Sequence, residues 1–192
     1  MEHIAVIIPS YEPDERLILL IRSLQPQCSN IVVVNDGSGP QFDQIFMELQ
    51  KSGVTILSHA VNQGKGRALK TAFNYCLLQD PDLVGCVTAD SDGQHLPEDI
   101  VHCGEVLSRH PDSLVLGCRD FDDVSVPQKS RYGNKITRTL FRYLCGLKIT
   151  DTQTGLRGIP AQFMRALLVV PGERFEFETN MLIASKDHCP IK

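Results

Sequence analysis

The sequence predicts an α/β fold, a three-layer sandwich with a mostly parallel central sheet and helices on both faces. Three observations carry this expectation. Over residues 1–118, short β-branched apolar runs alternate with segments of helical periodicity. The runs are apolar throughout rather than alternating with polar residues, as strands buried on both faces are. Polar turns rich in Gly, Asn, Asp and Pro close the runs, which is the punctuation of strand-to-helix connections.

The elements follow in order. Ile4–Ile8 is a buried strand bounded by Pro9. Asp14–Leu24 places Leu17, Leu20, Ile21 and Leu24 on one face of a helix. Ile31–Val34 is a second strand, stopped by Asn35-Asp36-Gly37-Ser38-Gly39. Gln41–Lys51 reads as a helix, Val54–Ser58 as a third strand and Gly64–Leu78 as a helix opened by Gly-Lys-Gly. Leu83–Thr88 is a fourth strand, and Pro97–Ser108 a helix with proline near its start, where the missing N–H does no harm. Ser113–Gly117 is a fifth strand. After Arg119 the rhythm changes: a loop over Asp120–Ser130, an amphipathic helix over Tyr132–Cys145, a polar turn over Thr150–Gly158, and helices over Pro160–Val170 and Phe175–Lys186.

Composition bounds the function. The chain has 192 residues, 42% hydrophobic and 22% charged, enough for one domain with a real core. Its net charge of −4 gives no sign of a nucleic-acid binder. Cys28, Cys76, Cys86, Cys103, Cys118, Cys145 and Cys189 show no metal-binding spacing and read as reduced core thiols of a cytoplasmic protein. The N-terminus enters a strand without the basic region of a signal peptide, and no apolar run approaches the ~18 residues of a membrane span. The ending His188-Cys189-Pro190-Ile191-Lys192 follows a helix with no closing element, so the expectation is a chain cut from a longer one.

The chemistry concentrates at predicted strand ends. Asp90-Ser91-Asp92-Gly93-Gln94-His95 puts two carboxylates one residue apart at the carboxyl end of the fourth strand. Ligands of open α/β sheets bind at that edge. Hard oxygen ligands there suit Mg²⁺ or Mn²⁺, which can hold a diphosphate; a solvated acidic turn is the plain alternative. Pro9-Ser10-Tyr11-Glu12-Pro13, Asn35-Asp36-Gly37-Ser38 and Asn62-Gln63-Gly64-Lys65-Gly66-Arg67 fall on the same edge. An Asp can accept from a base N–H, a Tyr can cover a base or ribose, and Lys65 between two glycines can approach phosphate or base. Each turn alone is ordinary punctuation; four on one edge point to a site. The spacings of a Walker loop, of a dinucleotide fingerprint and of a nucleophile elbow are all missing. The glycine-rich, basic loop that a sugar nucleotidyltransferase needs after the first strand is missing too.

These four motifs, in this order, resemble those of the inverting family 2 glycosyltransferases of GT-A fold. Within that family, Asp92-Gly93-Gln94-His95-Leu96-Pro97, Gly117-Cys118-Arg119 and Thr150-Asp151-Thr152-Gln153-Thr154-Gly155-Leu156-Arg157-Gly158 are similar to the dolichyl- and polyprenyl-phosphate mannose synthase type. The resemblance covers nearly the whole chain. It implies one GT-A catalytic domain over 1–192, with a nucleotide-sugar-binding half (1–118) and an acceptor-side half (119–192). It implies that Pro9, Tyr11, Glu12, Asp36 and Lys65 line a UDP- or GDP-sugar. It places Asp90, Ser91, Asp92 and Gln94 around the diphosphate, with Asp90, Asp92 and Gln94 as the metal set and Asp92 the foremost ligand. His95 reads as structural.

From Val124 to Thr150 there is no Asp or Glu, while Lys129, Arg131, Lys135, Arg138, Arg142 and Lys148 are all present. At about 100° per residue, positions 131, 135, 138 and 142 share one helix face. This is either a solvated surface or a site for phosphate or acidic lipid head groups. The resemblance points to Arg119 and Arg131 as phosphate binders and implies a polyprenyl-phosphate acceptor, hence a place at the inner face of a membrane. A phosphate oxygen is already anionic and needs no strong base. A hydroxyl acceptor would need one, for which Asp151, Glu176 and Glu178 are the candidates; a glutamate near a helix start is also ordinary capping. The remaining alternative is a sugar-nucleotide-binding module without turnover.

Overall fold

A computed structural model describes residue 1, residues 3–117 and residues 155–192. The predicted loop over Asp120–Ser130, the helix over Tyr132–Cys145, Asp151, and Arg119, Arg131 and the rest of the cationic stripe lie outside the described residues. The elements are β1 (Ile4–Ser10), α1 (Glu15–Leu24), β2 (Ile31–Asn35), a 3₁₀ turn (Pro40–Phe42) leading into α2 (Asp43–Lys51), β3 (Thr55–Ser58), α3 (Lys65–Gln79), β4 (Gly85–Thr88), α4 (Pro97–Arg109), β5 (Val115–Leu116), β6 (Arg157–Pro160), α5 (Ala161–Leu167) and α6 (Glu176–His188). The sheet order is β3-β2-β1-β4-β6-β5.

The four apolar runs of the first half pair in parallel, with Val6 opposite both Ile31 and Val87. Their alternate residues feed two cores. Ala5, Ile7, Val32 and Val34 pack on one face against Ala68, Leu69, Ala72 and Phe73 of α3, Phe163 and Met164 of α5, and Phe177 and Met181 of α6. Ile4, Val6, Ile8, Ile31 and Val33 pack on the other against Leu17, Leu20, Ile21 and Leu24 of α1, Phe46 and Leu49 of α2, and Ile100 and Leu107 of α4. Each Val, Leu, Ile, Met or Phe side chain among them contributes roughly 1.5–3 kcal/mol on leaving water, and two-sided burial explains why the runs carry no polar alternation.

Three expectations are corrected. The predicted polar turn over Thr150–Gly158 gives way at Arg157 to strand β6, which runs antiparallel to β4 and to β5. Arg-Gly-Ile-Pro has weak strand propensity; pairing on both sides overrides it. The predicted strand Ser113–Gly117 shrinks to Val115–Leu116 and joins the sheet only through β6. The end of the chain was expected to lack a closing element. Instead Pro190–Lys192 lies along the outer edge of β5: Leu114 N–H donates to the Pro190 carbonyl (2.8 Å) and Leu116 N–H to that of Lys192 (2.9 Å).

The strand order reverses between β1 and β4, since β2 and β3 lie on one side of β1 and β4 on the other. A crevice opens at such a switch point, outside the carboxyl ends of the strands.

Candidate active site

The crevice is a cleft of about 460 Å³. The end of β1 gives it Pro9, Ser10 and Tyr11, and the end of β2 gives Asp36. The loop into α3 gives Asn62, Gly64 and Lys65, and the turn after β4 gives Asp90, Ser91 and Asp92. Arg174, Phe175 and Glu178 come from the start of α6. Of the residues singled out in the sequence and described here, Glu12 and Gln94 stand beside the cleft rather than in its lining. Glu12 takes a left-handed φ of 51° and donates its N–H to Ser38 Oγ (2.9 Å), tying the β1 turn to the β2 turn. Ser10 is buried, and its hydroxyl meets no hydrogen-bond partner among the described residues.

Asp36 is spent on the protein itself. Its carboxylate accepts from Gln63 N–H (2.9 Å), Gly64 N–H (2.8 Å) and His59 Nδ1 (2.7 Å), while His59 Nε2 faces Thr71 Oγ1 at 2.9 Å. Asp36 is buried, and the His59 side chain is only 7% exposed. The sequence reading missed His59, although it follows Ser58 at the carboxyl end of β3, where the same strand-end rule would have found it.

Lys65 is the cross-brace of the cleft. Its Nζ donates to Asp90 Oδ1 (2.6 Å) and lies 3.0 Å from Glu178 Oε1. Burial works against its charge, but the carboxylates of Glu178 and Asp90 prevail and raise its pKa above the ordinary lysine value. Burial likewise opposes the charge on Asp90. The hydrogen bond from His95 (3.3 Å) and the Lys65 ammonium outweigh it and hold the carboxyl well below the usual carboxylate range. His95 is thus a partner of Asp90.

The two glutamates at the start of α6 separate cleanly. The Glu176 carboxylate is lowered in pKa by its own backbone N–H first, and then by the N–H groups of Glu173 (3.0 Å) and Arg174 (3.2 Å), which donate to its Oε1 at the start of the helix. Glu178 turns into the cleft and onto Lys65. Beneath it, the buried Arg157 donates to the Glu178 carbonyl (2.7 Å).

The glycines flanking Lys65 serve this architecture. Gly64 has φ +101°, and a Cβ there would lie 2.6 Å from the Glu173 carbonyl oxygen and from Arg174 Cγ. A Cβ on Gly66 would lie 2.6 Å from Phe177 Cβ. In the structure these glycines admit the Glu173–Phe177 turn against the start of α3.

Asp92 is the open carboxylate. It accepts from the Gln94 N–H (3.0 Å) and the Gln94 side-chain amide (2.6 Å), and Arg16 Nη1 pins its carbonyl (2.7 Å). Among the described residues no group of three or more His, Cys, Asp or Glu side chains forms a metal cage. A hard divalent cation fits this donor set through Asp92, because Mg²⁺ takes one or two carboxylates and completes its shell with water and substrate phosphate. Asp90 already neutralises a lysine. The described cysteines offer no rival chemistry: burial raises the thiols of Cys76 and Cys103 to about 12.

Fold and cleft together define a doubly wound α/β protein of the GT-A kind with an acidic cleft at its switch point. The sequence pattern of the family described as Glycosyl transferase family 2 matches residues 5–168, and the chain belongs to that family; it is a glycosyltransferase. A UDP-N-acetylglucosamine–dolichyl-phosphate N-acetylglucosaminyltransferase of Methanococcus voltae is 27% identical over 95% of this chain and 80% of its own length. An undecaprenyl-phosphate mannosyltransferase of Micrococcus luteus is 28% identical over 93% and 75%. Two solved structures share the fold. A 4-diphosphocytidyl-2C-methyl-D-erythritol synthase has a TM-score of 0.58 and 11% identity over 98% of this chain and 86% of its own. GalNAc-T7 with UDP, GalNAc and Mn²⁺ has a TM-score of 0.53 and 13% identity over 93% and 40%. Among the described residues no helix is long and apolar enough to cross a membrane.

Proposed function

We propose that this single catalytic domain transfers a sugar from a UDP- or GDP-linked donor to a polyprenyl phosphate, with inversion at the sugar carbon, at a membrane surface. The observation that carries the reading is the convergence of the Tyr11, Asp36, Lys65 and Asp90–Asp92 strand ends on one cleft at the switch point. The names of the two transferases above, one dolichyl-phosphate and one undecaprenyl-phosphate dependent, support a lipid-phosphate acceptor. In this reading Pro9 and Tyr11 line the base and ribose. Asp36 holds the loop that carries Lys65, and the open carboxylate of Asp92 faces the diphosphate. Mg²⁺ or Mn²⁺ held by Asp92, with Gln94 steadying that carboxylate, would neutralise charge on the leaving diphosphate. Arg119 and Arg131 remain the proposed holders of the acceptor phosphate.

The position of Glu178 supports a phosphate acceptor. A carboxylate committed to Lys65 at 3.0 Å is a poor base for a hydroxyl, whereas a phosphate oxygen needs none. Glu178 therefore orients Lys65 here, and the alternative saccharide acceptor would instead require it as base. The test is transfer from UDP- and GDP-sugars to a short polyprenyl phosphate and to its alcohol. Transfer to the phosphate that survives Glu178→Gln supports the reading. Transfer to the alcohol alone, abolished by Glu178→Gln, would select the hydroxyl acceptor. Donor binding with no transfer to either would select a binding module.

A further inference from the structure

We infer that Arg174, on the turn before α6, is an anion-binding residue of this cleft that takes a phosphate oxygen of the substrate. The inference rests on the glycosyl-transfer reading for the nature of the substrate and on the structure for the residue.

Two cationic side chains line the cleft among the described residues, Lys65 and Arg174. Lys65 is held between Asp90 and Glu178. Arg16, which reaches the Asp92 carbonyl from outside, is paired with Asp14 at 2.7 Å. Arg174 is different. Its guanidinium donates to Asn62 Oδ1 at a long 3.4 Å and makes no salt bridge among the described residues, although its charge helps to lower the pKa of Glu176. Glu176, two residues on, spends Oε1 on backbone N–H groups of the turn. The cleft also holds the carboxylates of Asp36, Asp90, Asp92 and Glu178. A diphosphate or phosphate monoester entering so acidic a space needs a cation not already neutralised, and Arg174 presents planar paired donors suited to phosphate.

The turn is built to hold that group still. Arg67 N–H donates to the Glu173 carbonyl (2.9 Å), and its side chain pairs with Glu173 (2.6 Å). Lys70 reaches the Gly172 carbonyl (2.9 Å), and Asn180 reaches that of Pro171 (2.9 Å). Gly64 and Gly66 let α3 close on the turn. From this turn Arg174 and its neighbour Phe175, 76% exposed, line the cleft. A fixed backbone carrying an uncommitted guanidinium is a preorganised site. The buried hydroxyl of Ser10 in the same lining, without a hydrogen-bond partner among the described residues, is a second group with hydrogen-bonding capacity to spare.

The experiment is titration calorimetry of the full chain and its Arg174→Gln and Arg174→Lys variants with UDP, GDP and pyrophosphate. It is paired with the KM for a short polyprenyl phosphate. Because the side chain is exposed, both variants should melt as the wild type does. We expect Arg174→Gln to weaken the better nucleotide and pyrophosphate by about tenfold or more, with Arg174→Lys intermediate. If nucleotide affinity holds and the acceptor KM rises about tenfold, the same guanidinium binds the acceptor phosphate instead, and the anion site stands. Equal nucleotide affinity and equal acceptor KM in folded Arg174→Gln overturn the inference. Wild-type chain that binds pyrophosphate through Arg174 but neither nucleotide keeps the anion site and overturns the donor reading.

Discussion

Asp36 and the Asp90–Asp92 turn lie on opposite sides of β1, each at the end of a buried parallel strand, and they differ in what their carboxylates do. Asp36 accepts two backbone N–H groups and a buried histidine. It is a fastener, and its effect on a ligand passes through the loop that places Lys65. Asp90 is paired with Lys65 and His95. The Asp92 carboxylate makes no salt bridge among the described residues, although Arg16, which donates to its carbonyl, feels its charge. The comparison teaches that an aspartate at a strand end is a position, not a role. Whether it binds substrate depends on how many donors the neighbouring loops have already turned toward it.

The sharpest way to break this comparison is to swap amide for acid on each side. Asp92→Asn should cost transfer about 100-fold, as loss of a group aimed at developing charge does, and leave the melting curve unchanged. A variant that melts early while its residual activity stays high would make Asp92 the fastener instead. Asp36→Asn should do the reverse. The new amide puts an N–H against donors that need an acceptor, so stability should fall by about 2–3 kcal/mol in urea unfolding, and donor affinity should fall with it. Undiminished stability would mean the loop is held by something other than Asp36.

Lys65 joins the two regions, and its removal is the next largest effect. Lys65→Met leaves Asp90 and Glu178 facing each other without a cation, at a cost of about 2 kcal/mol after allowing for the partial exposure of Asp90. The pH dependence carries the signature. Asp90 has a lowered pKa, so its contribution is present above the unfolded value of 3.8 and lost as pH falls toward the folded one. Lys65 has a raised pKa, so its contribution is present below 10.5 and lost as pH rises through the higher folded value. Wild-type stability should therefore fade at both ends of the scale, and Lys65→Met should remove the alkaline loss and shrink the acid one. Parallel pH–stability curves for the two proteins would contradict the brace.

The sheet was legible because two-sided burial writes itself as continuous apolar runs, and β1 to β4 fall where Ile4, Ile31, Val54 and Leu83 begin those runs. β6 was not. Arg157, Gly158 and Pro160 each argue against a strand, and only the pairing partners at Thr88 and Leu116, distant in sequence, make them one. The site divides the same way. Strand-end turns announced Tyr11, Asp36, Lys65 and Asp90–Asp92. Arg174 and Phe175 went unseen because they precede a helix, and it is the packing of Gly64 and Gly66 that carries their turn across to the cleft.

The smallest expected effect discriminates between residues two apart. Glu176 and Glu178 read alike in sequence, as acids in the first turn of a helix. In the structure Glu176 caps the turn from an exposed position, while Glu178 faces inward to Lys65. Glu176→Gln keeps a side-chain oxygen for the same N–H groups and loses only the charge, so the melting temperature should fall by about 2 °C at neutral pH. The lowered pKa of Glu176 means this contribution is present above the unfolded value of 4.5 and disappears as pH falls below it. The melting difference between variant and wild type should accordingly close in acid. Transfer should be unaffected, since the cap touches backbone that Arg67, Lys70 and Asn180 also hold. A marked loss of transfer with an unchanged melt would instead place Glu176 at the reacting groups and exchange the two glutamates' assignments.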